Sequence, residues 1–229
     1  MNNYDPKKEY ALDILFDRGL IEDAWDAVDL FETSVAKYSG SKYAVAIDNC
    51  TDAIFLCLKY LNRTEEKIII PKNTYGSVPM ALYNAGYNFK LEDIEWSGLY
   101  QVGNLPLYDS ALRFTEGMYI QDSFQCLSFH RRKILKLTKG GMILTNDKTA
   151  SEWFKAMRAK GRHPHKKVYY NSESLELMGW NMYMHPDDAA RGYLIFKDLP
   201  RYNEDIGGSS SYPDLTKQSF YKDYEENSR

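Results

Sequence analysis

The chain has 229 residues, a formal net charge of −3, and contents of 44% apolar and 27% charged residues. These values fit a globular protein with one sizeable core, and the acidic balance gives no electrostatic argument for nucleic acid as a partner. No apolar run is long enough to cross a bilayer, so we expect no membrane partner either.

The three cysteines, Cys50, Cys57 and Cys126, are odd in number and lack the spacing of metal ligands. We therefore expect reduced, buried thiols and no metal site, as in a cytoplasmic protein. The polar opening, residues 1–10, has no signal-peptide pattern.

Helical and strand patterns alternate along the chain, which predicts an α/β fold with a sheet covered on both faces. The predicted helices are residues 10–16, 21–38, 52–61, 75–85, 149–160 and 186–197, and the predicted strands are 42–47, 67–70, 89–94, 105–111 and 142–145. A hairpin is predicted at 113–122, turning at Glu116-Gly117, and a basic loop at 161–174. Beyond Pro200 the composition is polar, and we expect an extended or disordered tail.

Three candidate site residues lie near the C-terminal ends of predicted strands, where ligands gather in open α/β sheets. Thr51 lies in the turn Asn49-Cys50-Thr51-Asp52, whose free N–H groups at a helix start suit a phosphate. Asp109 could pair with a cationic ligand nitrogen, and Tyr75 could stack on a flat ring. Each also has an ordinary structural role: a helix N-cap for Thr51, which the local sequence favours, a turn cap for Asp109, and loop packing for Tyr75.

The stretch from Ser128 through Lys133 to Gly140-Gly141 comes next in the chain. A lone lysine in a basic cluster is usually a solvated side chain. However, the order of phosphate turn, aromatic ring, acid, serine, lysine and glycine pair contains the parts that pyridoxal 5'-phosphate requires.

The sequence resembles the DegT/DnrJ/EryC1/StrS group of pyridoxal-phosphate nucleotide-sugar aminotransferases over residues 17–199. The stretches that carry the resemblance read F-E-T-S-V-A-K-Y-S-G-S-K-Y-A-V-A-I-D-N-C-T-D-A-I, I-I-I-P-K-N-T-Y, L-S-F-H-R-R-K, G-G-M-I-L-T-N-D and G-W-N-M-Y-M-H-P-D-D-A-A. The resemblance implies the large domain of the type I aspartate-aminotransferase fold, a three-layer sandwich with a mostly parallel mixed sheet. Residues 1–200 would form this shortened domain and residues 201–229 a polar C-terminal tail.

The resemblance also implies a role for each candidate residue. Lys133 would be the Schiff-base lysine, Asp109 would meet the pyridinium nitrogen, and Tyr75 would stack on the ring. Thr51, Ser128 and the backbone around Asp52 would hold the phosphate. Asn181 would reach a phosphate across the interface of a homodimer, with glutamate and a nucleotide sugar as substrates.

Several positions depart from the family pattern. Cys50 replaces the glycine of the phosphate turn, and we expect its side chain to crowd the phosphate. Leu112 stands where the family has Gln or His, and Tyr183 replaces an arginine. A helix and a strand before Asp109 are missing, as is the small domain expected after about Pro200.

Three hypotheses follow from these observations. The first is an aminotransferase in which Lys133 also moves protons, since both Lys133 and Asp109 are present. The second is a non-catalytic relative that binds the cofactor or a nucleotide sugar, which the missing segments favour. The third is an α/β protein without such a site.

Overall fold

The structure, a computed structural model, describes residues 10–162 and 177–227. Its helices are α1 (Ala11–Asp17), α2 (Asp26–Ser39), α3 (Cys50–Leu61), α4 (Ser77–Ala85), α5 (Lys148–Arg158), α6 (Pro186–Phe196) and α7 (Ser219–Asn227). Its strands are β1 (Tyr43–Ile47), β2 (Ile68–Pro71), β3 (Phe89–Glu92), β4 (Tyr100–Gln101), β5 (Leu107–Asp109), β6 (Phe124–Ser128) and β7 (Gly141–Thr145). Most of the predicted basic loop, from residue 163 to 174, lies outside the described residues.

The main sheet has the strand order β1-β7-β6-β5-β4. Strands β5 and β6 are parallel, whereas β7 runs antiparallel to both β1 and β6, and β4 runs antiparallel to β5. Strands β2 and β3 form a separate parallel pair. The sheet is mixed, as predicted, but "mostly parallel" is too strong because β7 opposes both of its neighbours.

Alternate residues of the sheet face two different cores, which confirms the three-layer arrangement. On β1, Val45 and Ile47 pack in a core with residues of α3, α4 and α5. Ala44 and Ala46 point to the other face, into a core with residues of α2 and α6. This alternation follows from the period of two along a strand.

The region predicted as a hairpin contains no paired strands, so that prediction is wrong. Its backbone groups bond to other parts of the chain: Gly117 N–H donates to the Tyr38 carbonyl at 2.9 Å and Tyr119 N–H to that of Ser39 at 2.9 Å. The segment therefore lies against the end of α2, and only the turn at Glu116-Gly117 matches the prediction.

The residues after Pro200 are folded against the core, which corrects the expected disorder. Leu215 is 4% exposed and Tyr221 is also buried, both in the core beneath α3 and α4. The hydroxyl of Tyr224 accepts from Phe89 N–H at 2.8 Å, and that of Tyr221 from Leu91 N–H at 3.3 Å. These bonds occupy backbone donors on β3 and integrate the segment with the sheet.

No helix among residues 10–162 and 177–227 has the length and apolar content to cross a membrane.

Candidate active site

Lys133 lies on a short, well-anchored loop that joins β6 to β7. Its N–H donates to the His130 carbonyl at 2.7 Å, closing a turn. The loop is fixed from below, because Leu135 and Leu137 are buried in the core next to α2 and α6. The lysine side chain is itself only partly exposed, and this burial lowers the pKa of its amine.

Asp109 ends β5 and is buried, with 5% of its surface exposed. One carboxylate oxygen accepts from Ala111 N–H at 2.9 Å. Burial raises the pKa of this carboxyl, while the Ala111 N–H group and the charge of Lys133 oppose the rise. Lys133 and Asp109 therefore lie close enough for the charge of each to affect the pKa of the other.

Cys50 opens α3 beside this pair. Its sulfur lies 4.0 Å from Asp109 Oδ1 and 3.6 Å from the Cys126 carbonyl oxygen. Burial first, and then the charge of Asp109, raise the pKa of the thiol well above its usual range, so the thiol is protonated. The Cys50 side chain contacts residues of β5 and β6, on the sheet side of the turn. These contacts do not show the crowding of the phosphate that the sequence analysis expects.

Two helix starts meet where the sequence predicts a phosphate. Thr51, the second residue of α3, shares a hydrogen bond of 2.6 Å between its hydroxyl and that of Ser77, the first residue of α4. Free N–H groups at two helix N-termini and two hydroxyls make a suitable anion seat. The sequence analysis missed Ser77, although a serine that opens a helix just after a strand was a usable signal.

Strand β7 supports this seat from below. Gly141 pairs with Ser128 of β6 and with Ile47 of β1. A Cβ on Gly141 would stand 2.6 Å from Cys50 N, so only glycine allows the strand to lie against the turn. Ser128 is the strand partner of this glycine, and its hydroxyl accepts from His130 N–H at 3.5 Å.

Asp52 adds a titratable group to the same helix start. Asn49 caps α3 by accepting from Asp52 N–H at 2.9 Å, and its own amide donates to the carboxylates of Asp48 and Asp52. Burial and the neighbouring Asp48 raise the pKa of Asp52 to about 6. The hydrogen bond from Asn49 and the charge of Lys139 oppose this rise, and Lys139 also forms an ion pair of 2.7 Å with Asp48.

An aromatic wall lies beside Lys133. Tyr75 is 60% exposed, and its ring meets the edge of the Tyr212 ring at 6.2 Å between centroids. Tyr212 in turn stacks on Trp96 at 5.8 Å, and its hydroxyl lies 3.5 Å from Lys133 Nζ. The sequence analysis missed Tyr212, because the polar composition around it gave no signal of burial.

Asn181 is exposed and forms a bridge with Ala159 at the end of α5. Its neighbour Met182 accepts at its carbonyl from Asp48 N–H at 2.9 Å, so the segment runs past the end of β1. The described contacts of Asn181 do not join it to Lys133 or Asp109, which suits a residue that faces outward.

The described residues contain no cluster of three or more His, Cys, Asp or Glu side chains suited to a metal ion. The arrangement instead combines an amine of lowered pKa, a buried acid, an anion seat and an aromatic wall. Such a set can bind a flat, phosphorylated ring and move protons beside it.

Comparison with known proteins agrees with this arrangement. The chain is 23% identical over 230 residues to GDP-perosamine synthase of Caulobacter vibrioides, covering 81% of this chain and 60% of that protein. It is 23% identical over 253 residues to the UDP-4-amino-4,6-dideoxy-N-acetyl-beta-L-altrosamine transaminase of Campylobacter jejuni, covering 88% and 66%. The chain therefore spans less than two thirds of the length of these relatives.

The fold is similar to that of a solved putative PLP-dependent aminotransferase from Bacillus cereus. The TM-score is 0.66 at 18% identity, over 86% of this chain and 65% of that one. This likeness places the chain in the fold of PLP-dependent aminotransferases.

A sequence profile of the DegT/DnrJ/EryC1/StrS aminotransferase family matches residues 6–99 and 120–205. The matched ranges contain Thr51, Tyr75, Ser128 and Lys133, whereas Asp109 and Tyr212 lie outside them. The chain thus belongs to the DegT/DnrJ/EryC1/StrS aminotransferase family.

Proposed function

We propose that this chain is a pyridoxal-phosphate-dependent aminotransferase that moves an amino group from glutamate to a keto group on a nucleotide sugar. The observation that carries the proposal is that partly buried Lys133 and buried Asp109 lie close enough for the charge of each to shift the pKa of the other. The two curated relatives are named for amino sugars linked to GDP or UDP, which supports a substrate of that class.

The residues of the site fit pyridoxal 5'-phosphate. Asp109 is a carboxylate whose pKa is raised by burial, and a cationic ring nitrogen beside it would stabilise the charged form. The hydroxyls of Thr51, Ser77 and Ser128 would hold the phosphate oxygens. Backbone N–H groups at the start of α3 would add to them, except that of Asp52, which donates to Asn49. Tyr75 would cover one face of the ring.

When bound, the cofactor supplies an electron-withdrawing ring that stabilises negative charge on the substrate carbon. Lys133 would attach the cofactor and, once released, carry the proton to and from that carbon. Its lowered pKa suits this task, because general acid-base catalysis works best when the pKa lies near the working pH. Asp109 would keep the ring nitrogen protonated by holding a negative charge beside it.

The assembly and location follow from the same assignment. We propose a homodimer in the cytoplasm, in which Asn181 of one chain reaches the phosphate of the other. The described exposure of Asn181 and its position beside the end of β1 support this. The proposed organisation is a large domain at residues 1–200 against which Leu215 and Tyr221 of the C-terminal segment 201–229 pack, with neither nucleic acid nor membrane as a partner.

A non-catalytic relative that binds the cofactor or a nucleotide sugar is the second candidate. It is favoured by the gap in the family match at residues 100–119, which removes the Asp109 region from the matched ranges.

A half-reaction with glutamate alone tests the proposal without knowledge of the sugar. Purified chain saturated with pyridoxal phosphate should convert glutamate to 2-oxoglutarate in amounts limited by the bound cofactor. Addition of a GDP- or UDP-linked keto-sugar should then make the conversion continuous.

Lys133→Ala should abolish both steps, whereas Lys136→Ala should not, because Lys136 is an exposed lysine of the same loop. Cofactor binding without formation of 2-oxoglutarate would support the non-catalytic candidate. Turnover that persists in Lys133→Ala would overturn the assignment of this lysine.

A further inference from the structure

We propose that Tyr212 is a positioning residue for the Lys133 amine, delivered to the site by the C-terminal segment. This inference rests on the proposed function for its purpose, although its test does not depend on turnover. The geometric basis is the hydrogen bond from Lys133 Nζ to the Tyr212 hydroxyl, at 3.5 Å.

Two aromatic rings hold the Tyr212 ring, and a hydrogen bond holds its backbone. It stacks on Trp96 with 21° between the ring planes, and Tyr75 meets it at 64°. The Tyr212 carbonyl accepts from the side-chain amide of Asn73 at 3.0 Å. Because ring and backbone are both fixed, the hydroxyl is aimed at Lys133 rather than free to rotate towards solvent.

The chain on the N-terminal side of Tyr212 is fixed to the sheet side of the site. Asp205 forms a two-point ion pair with Arg113, with distances of 2.8 and 2.6 Å. Two residues later, the Gly207 carbonyl accepts from Gly98 N–H at 2.9 Å. A paired guanidinium and carboxylate define orientation as well as distance, so the approach of the chain is set.

The chain on the C-terminal side is anchored as well. Leu215 N–H donates to the Lys72 carbonyl at 2.9 Å, just past the end of β2, and the Leu215 side chain is buried. We name residues 205–215 the strap. The strap crosses the edge of the molecule where Tyr75, Asp109 and Lys133 lie, and it holds Tyr212 over them.

The strap also lies outside the residues that the family profile matches. The match ends at residue 205, where the strap begins, so it does not include Tyr212.

The charged groups around Lys133 and Tyr212 determine how the Tyr212 hydroxyl affects the lysine. Burial, with the charge of Asp109, raises the pKa of Tyr212, so its hydroxyl stays protonated and neutral. Lys133 also faces Asp109 on β5 and Cys50 on α3, and Tyr75 faces Tyr212. The phenol oxygen accepts a stronger hydrogen bond from the charged ammonium of Lys133 than from its neutral amine. It therefore favours the protonated form of Lys133 and opposes the lowering of the Lys133 pKa by burial.

The test is the pKa of Lys133 in the cofactor-free chain, with Tyr212→Phe compared with wild type. This substitution removes the hydroxyl and keeps the stacked ring, so the fold is retained. The rate at which Lys133 reacts with acetic anhydride is measured as a function of pH, with the Lys133 peptide quantified by mass spectrometry. We expect the pKa of Lys133 to fall by about half to one unit, as a charge-assisted hydrogen bond is lost.

Tyr202→Phe is the matched control, because Tyr202 lies in the same C-terminal segment and is 73% exposed. It should leave the pKa of Lys133 unchanged. The proposal is overturned if Tyr212→Phe also leaves it unchanged. It is overturned too if Tyr212→Phe mainly accelerates cofactor uptake, which would make Tyr212 an obstruction.

The pKa of Lys133 is measured without cofactor or substrate. This measurement therefore tests the role of Tyr212 even if the chain has no transaminase activity. If the chain is active, the acid limb of the kcat profile should move in Tyr212→Phe in the same direction as the pKa of Lys133. A purely structural role for Tyr212 would lower stability and leave this limb in place.

Discussion

Gly141 lies directly against the backbone of Asn49: a Cβ on Gly141 would stand 2.6 Å from the Asn49 carbonyl oxygen. The contact joins the glycine pair after the Lys133 loop to the turn that opens α3. These two motifs, far apart in the sequence, thus form one surface at the phosphate seat.

Gly141→Ala should therefore displace the turn. We expect a loss of about 1–3 kcal/mol in the free energy of unfolding, typical of overpacking, together with weaker binding of pyridoxal phosphate. Urea denaturation and a cofactor titration measure the two effects. Gly76→Ala is the stability control, since a Cβ at Gly76 would meet open space. Equal stability of the two variants would contradict the contact.

Asp109→Asn should separate the chemical role of this residue from its structural one. The pKa of the carboxyl is higher in the folded state than in the unfolded state, so the charged form costs stability, and the cost grows as the pH rises above the unfolded pKa. The amide removes this cost while keeping the shape. We expect kcat/KM to fall by roughly 100-fold or more, with the free energy of unfolding at neutral pH equal or higher.

The two measurements for Asp109→Asn must be read together. A large loss of stability with normal kcat/KM would mean that Asp109 only caps the turn at Ala111. That outcome would contradict its placement at the cofactor.

Leu215→Ala should destabilise the whole chain, because the C-terminal segment packs in the main core. Truncation of a buried leucine costs about 2–5 kcal/mol. Ile206→Ala is the control in the same segment, as Ile206 is 45% exposed. A Leu215→Ala variant with the unfolding midpoint of wild type would show that the segment is not part of the cooperative fold.

Asp52 should give the chain a distinct dependence of stability on pH. Its pKa of about 6 in the folded state lies above the usual value of 3.8, so the folded protein binds the proton more tightly than the unfolded chain. Stability should therefore decrease as the pH rises from 4 to 6. Asp52→Asn should lack this slope, as measured by chemical denaturation across the same range. Parallel pH profiles for the two proteins would show that Asp52 titrates normally.

The elements and residues near the phosphate turn could be predicted from the sequence because their signals are local. Asn49 caps a helix that begins within two residues of the predicted start, and Gly141 begins a buried strand. The position of Lys133 relative to Asp109 could not be predicted from local signals, because it depends on the pairing of β5 with β6. It was reached through the resemblance to the family and not through periodicity.

The hairpin at 113–122 and the disordered tail failed as predictions for one physical reason. In both places the stabilising contacts are distant in the sequence, such as those of Gly117 with Tyr38 and of Phe89 with Tyr224. The segment around Tyr212 is polar in composition, as the sequence analysis states. Its tyrosines nevertheless pack against the core, because a tyrosine ring can bury a large area while its hydroxyl keeps a hydrogen bond. Composition alone did not distinguish such a segment from a disordered one.

The attachment point of the cofactor is the most direct test of the account. The chain is saturated with pyridoxal phosphate, treated with borohydride to make any lysine linkage permanent, digested, and examined by mass spectrometry. We predict a single label on Lys133, with Lys136 and Lys139 of the same loop unmodified. A label on another lysine, or none at all, would contradict the account.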